Sequence, residues 1–104
     1  MPTRTRVEYL YRDASNYKRW GEFIVEGKLR KEDLKPFLFD GEWFVPTEVG
    51  LPHLLDLPMT EDDHWLHEFT KFVATDEGES ECTSAELISR FRDAYRRGWF
   101  SQLI

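Results

Sequence analysis

The stretch Asp62-Asp63-His64-Trp65-Leu66-His67-Glu68 holds the densest set of side chains able to do chemistry. Two histidines three apart, beside carboxylates, converge on one ion if the segment is helical, and imidazole with carboxylate suits zinc or a similar divalent metal. On that reading Asp63, His64, His67 and Glu68 are the ligands of a metal-binding protein, with hydrolysis as its chemistry. In a strand, residues three apart point to opposite faces and the same four separate. The pattern is also not H-E-x-x-H, where the histidines are four apart with the glutamate placed as base. The competing reading makes Asp62 and Asp63 part of a turn that His64 bonds, and leaves His67 and Glu68 as strand residues. His53, far off in a loop, joins a ligand set only through tertiary folding.

Other reactive groups have less support. Cys82 is the single cysteine, so it has no partner for an internal disulfide, and its neighbours Glu79 and Glu81 raise a thiol's pKa while the helix start that follows lowers it. The chain contains no G-x-S-x-G, G-x-x-x-x-G-K-[ST] or G-x-G-x-x-G segment, which argues against the familiar nucleophile elbows and phosphate-binding loops. Arg12, Tyr17, Lys18, Arg19 and Trp20 interleave cations with aromatics, a pattern that stacks bases and meets phosphates when Arg96 and Arg97 join it. More commonly such rings are core and the cations their solvated neighbours.

The elements that must position these groups start with a hairpin, Val7 to Gly27. A loop of odd length brings Val7, Tyr9 and Tyr11 onto one face with Gly21, Phe23 and Val25, the glycine leaving room for a tyrosine ring. The reverse face then carries Leu10, Trp20 and Ile24 among charges, and is partly covered. Asp13, Ser15 and Asn16 suit the turn, and Asn tolerates positive φ. Glu32 to Leu38 has the spacing of a short amphipathic helix that Pro36 shortens or distorts. Asp40-Gly41 marks a turn, Trp43 to Val45 a short third strand, and Pro46 its end.

Three prolines and a glycine make Pro46 to Pro58 a packed loop with one helical turn rather than a long element. A turn at Thr60 to Asp63 and a strand from about Leu66 to Thr75 follow. The last element is the clearest helix: Thr83-Ser84-Ala85-Glu86 matches a capping box, Leu87, Ile88, Phe91, Ala94 and Tyr95 form a buried stripe, and Gly98 is a natural stop. The chain thus reads β-β-α-β-loop-β-α. It is an α+β two-layer domain, a mainly antiparallel sheet of about four strands with the C-terminal helix packed on it.

With 104 residues, 40% of them hydrophobic and 15% aromatic, the sequence suits one globular domain with a modest core. Its net charge of -6 is uneven, because an acidic middle separates two basic ends. That distribution disfavours broad nucleic-acid binding, yet permits a local basic patch if the ends meet in space. The lone cysteine and the absence of an apolar run resembling a signal peptide or a membrane span lead to the expectation of a cytoplasmic protein.

Several of these residues also form a string: Tyr9-x-Tyr11-Arg12-Asp13-x-x-Asn16-Tyr17-Lys18, then Asp40-Gly41-Glu42-x-Phe44-x-Pro46-x-x-Val49-Gly50-Leu51-Pro52, then Asp62-Asp63-His64-x-x-His67-Glu68. The string resembles a family of small uncharacterised bacterial proteins, over roughly Glu8 to Phe69. The resemblance implies no activity. In that family's pattern a Pro-Trp pair separates the two histidines, where this chain has Trp65-Leu66.

The leading expectation is therefore an interaction or regulatory domain, not an enzyme and without a cofactor, that binds another protein. Arg12, Tyr17 and Lys18 on the hairpin and Trp99 and Phe100 in the apolar tail are the contacts, and the tail would also serve a homodimer. The metal-binding reading is the alternative.

Overall fold

The hairpin forms with the expected parity. In the computed structural model, which describes residues 3–55, 59–61 and 63–99, strand β1 (Arg4–Arg12) pairs antiparallel with β2 (Lys18–Glu26). Val7 faces Phe23, Tyr9 faces Gly21, and Arg12 faces Lys18, so the loop holds five residues, 13 to 17. Asp13 closes it: its N–H donates to Tyr17 O, its carbonyl accepts from Asn16 N, and its side chain accepts from Tyr17 N at 2.8 Å. Asn16 takes the left-handed conformation at φ 66°. Gly21 leaves room for a close approach, since a Cβ there would lie 3.3 Å from the Tyr9 ring and 2.7 Å from Leu54 Cδ2, and both side chains would have to shift.

Helix α1 (Lys31–Leu34) passes into a 3-10 turn at Lys35–Phe37, which is the distortion Pro36 demands. β3 (Trp43–Phe44) follows, then a second 3-10 turn at Pro46–Val49 that Gly50 ends in the left-handed region at φ 76°. β4 (His67–Thr75) pairs with β1, with a bulge opposite Glu8 and Tyr9 where Thr70 Oγ1 donates to Glu8 O. β5 (Cys82–Thr83) adds parallel to β2, and α2 (Ser84–Arg97) completes the order.

The result is α+β: one five-stranded mixed sheet in the order β3-β4-β1-β2-β5 with α2 against it. Five strands replace the expected four because β5, a two-residue parallel edge, carries no periodicity of its own. The inner face brings Val7, Tyr9, Phe23, Val25 and Phe69 together with Leu87, Phe91 and Ala94 of α2. Phe44 stacks on Phe69 at 4.3 Å and tilts against Phe91 at 5.5 Å, so β3, β4 and α2 share one aromatic centre. The capping box forms as expected, with Glu86 N donating to Thr83 Oγ1 and Thr83 N to Glu86 Oε1. Tyr95 departs from the buried stripe, because it lies 53% exposed at the edge of the α2 contact, its ring against Phe37. Among the described residues, no helix is long and apolar enough to cross a membrane.

Candidate functional site

The tyrosines and histidines of the motif string gather at the loop end of the hairpin, and each is engaged by a neighbour. Tyr9 Oη donates to Pro52 O at 2.6 Å and Tyr11 Oη to Asp63 Oδ1 at 2.5 Å, so the two inward tyrosines of β1 each hold one loop. Burial pushes both phenols up to about 12, with the Asp63 hydrogen bond adding to the shift at Tyr11. The other Asp63 oxygen accepts from Thr60 N and Thr60 Oγ1, which closes the turn. The Tyr11 and Thr60 hydrogen bonds hold its carboxyl below the usual range.

Both histidines of the cluster act as hydrogen-bond staples. His64 Nε2 lies 2.7 Å from Arg12 O and its Nδ1 accepts from Leu66 N at 3.0 Å, a pair of contacts that the Nε2–H tautomer satisfies. His67, 1% exposed, has the opposite tautomer: Nε2 accepts from Leu54 N at 3.1 Å, and Nδ1 donates to Trp65 O at 3.0 Å. Burial first, with His53 and His64 adding to it, pushes its pKa down to about 4.

The proposed ligand set of Asp63, His64, His67 and Glu68 therefore does not converge. His67 starts a strand, so it points into the core while Glu68 points out and meets Arg12 at 3.3 Å. Among the described residues, no group of three His, Cys, Asp or Glu is placed to hold a metal ion. Cys82 is buried, and burial pushes its thiol up, with Arg90 opposing and Glu86 and Glu81 adding.

The outer face of the sheet holds a different kind of site. Register places Trp43, Glu68, Leu10 and Trp20 in one row across β3, β4, β1 and β2. Beside that row a pocket of about 260 Å³ is lined by Leu10, Arg12, Trp43, His64, Leu66 and Glu68. Trp20 is 63% exposed and Tyr17, under the Arg19 guanidinium, is 59% exposed. Arg12 and Lys18 close the hairpin beside them. The site thus combines an apolar floor, two tryptophans and a half-exposed ion pair.

Of the other expected contacts, Trp99 is turned inward. Its Nε1 donates to Phe37 O at 2.9 Å and its ring packs edge-on against Phe91. Phe100 lies outside the described residues. Arg97 donates to Glu48 O over the inner face, and does not extend the hairpin's cationic end. Reading the sequence missed Trp43 and Leu66 in the pocket. Leu10 and Trp20 were marked by their alternation with the core residues, whereas the pairing of β3 with β4 has no local signal. No protein-family model, curated protein or solved structure matches this chain.

Proposed function

We propose that this chain is a polypeptide-docking domain whose contact surface is the outer face of the sheet at the loop end of the hairpin. The observation that carries the reading is Trp20, a large ring held out to solvent on a strand, in register with Leu10 and beside a pocket. Exposing an indole this way leaves apolar surface in water, and tryptophan, tyrosine and arginine are the residues that dominate binding energy at interfaces. Arg12 and Glu68 give the rim an orienting pair of charges, and Trp43 on the far side of the row supplies a second wall. Because the strands fix the backbone positions of these residues, a partner meets a row whose spacing is already set.

The test uses a photo-crosslinking amino acid at position 20, at position 43 or at exposed Thr47 as a control, in the native host. One protein joined from both 20 and 43 but not from 47, and bound by the purified chain at least ~30-fold more weakly after Trp20→Ala, is the expected result. Equal crosslinking from all three positions, or an unchanged affinity in Trp20→Ala, overturns the reading.

A further inference from the structure

Two basic segments that lie far apart in the chain meet on a different face. Leu34 of α1 is fully buried in the core with Leu87 and Phe91 of α2, the Phe37 ring lies 6.1 Å from that of Tyr95, and Phe37 O accepts from Trp99 Nε1. The 3-10 turn after α1 therefore runs along α2. Lys31 and Lys35, four apart, are exposed on the first segment, and Arg92 and Arg96, four apart, on the second. Arg92 is the i,i+3 neighbour of the exposed Tyr95 on the helix surface.

None of the four cations has an ion pair among the described residues, whereas Arg4, Arg6, Arg12 and Arg30 each have a carboxylate within 4.0 Å. The nearest acids of the first segment, Glu32 and Asp33, are both held by Arg30. Asp93 is the i,i+3 neighbour of Arg96 on α2, yet it forms no ion pair with it among the described residues. Like charges four apart repel, and this chain keeps two such pairs on segments that touch each other, although acids outnumber bases 20 to 14.

We propose that the α1/α2 face is a second contact surface, and that it takes a short acidic segment of a partner polypeptide. Carboxylates of that segment meet the two cation pairs, and an apolar side chain rests on Tyr95. Charge selects the length: a short segment senses only the patch within a screening length of about 10 Å, while a long polyanion runs on over the acidic remainder of a chain of net charge -6. That excess favours a peptide over nucleic acid.

Fluorescence anisotropy of the full chain with a labelled Glu-Glu-Phe-Glu-Glu peptide, and separately with labelled oligothymidylate, tests the proposal. The peptide is expected to bind, to weaken as salt rises, and to weaken at least ~tenfold in both Lys31→Glu/Lys35→Glu and Arg92→Glu/Arg96→Glu. Trp20→Ala, on the other face, leaves it unchanged, which separates this surface from the docking face above. Absence of peptide binding, binding indifferent to the charge reversals, or tighter binding of oligothymidylate than of peptide overturns it.

Discussion

At the scale of single residues, the histidines are the most informative side chains, because their chemistry is used for structure. His67 is buried and neutral, accepting from one loop backbone and donating to another, with its pKa near 4. An unfolded histidine binds its proton near 6.5, so between about 6.5 and 4 the unfolded chain takes up a proton that the fold refuses. Stability from this group is therefore lost as pH falls through that window, by on the order of 3 kcal/mol, and falls no further below it. Urea midpoints of the native chain and of His67→Gln, compared from about pH 7.5 down to 4, measure the difference. The native curve falls more steeply, since glutamine does not titrate. Parallel curves would show that His67 does not carry the acid sensitivity. The residue types were legible in the sequence but their partners were not. Leu54 N, Trp65 O and Arg12 O are backbone groups, and no side-chain spacing announces that a histidine will reach for one.

Elements were legible in proportion to how local their causes are. Side-chain parity alone selects an odd hairpin loop, since an even one turns Val7 and Tyr9 away from Phe23 and Val25. The start of α2 is equally local: Thr83 and Glu86 satisfy two orphan backbone donors within four residues. Thr83→Ala removes one of those bonds and should lower unfolding stability by about 1 kcal/mol, readable as a shift in urea midpoint. A Thr83→Ser variant, which keeps the hydroxyl, should recover most of it. β3 and β5 have non-local causes, because each is two residues long and exists only where β4 or β2 offers an edge. The absence of β5 from a periodicity reading follows from that, whereas β3 was legible as a short strand and only its pairing was not. The outer-face site inherits the same blindness, as Trp43 reaches it only through the β3–β4 pairing. Tyr95 fits the apolar spacing of α2 yet stays exposed, since the 3-10 turn covers only one side of its ring.

At the scale of the whole molecule, aromatic residues divide between two duties that composition cannot separate. One set, around Phe91, joins the layers: its ring lies within 6 Å of those of Phe44, Phe69 and Trp99, and so links α2 to β3, to β4 and to the chain beyond the helix. The other set, with Trp20 and Tyr17, lies outside that framework and meets water. The two sets predict opposite costs for the same kind of change. Phe91→Ala opens a cavity in a fully buried site and should cost about 3–5 kcal/mol, a large share of the roughly 5–15 kcal/mol a small domain has. Trp20→Ala removes a ring that packs little against the fold and should stay within about 0.5 kcal/mol. Denaturant unfolding of the two variants beside the native chain measures both values. A cost for Trp20→Ala close to that of Phe91→Ala would mean that the exposed indole holds the sheet together, and its surplus of uncovered surface would then need no partner to explain it.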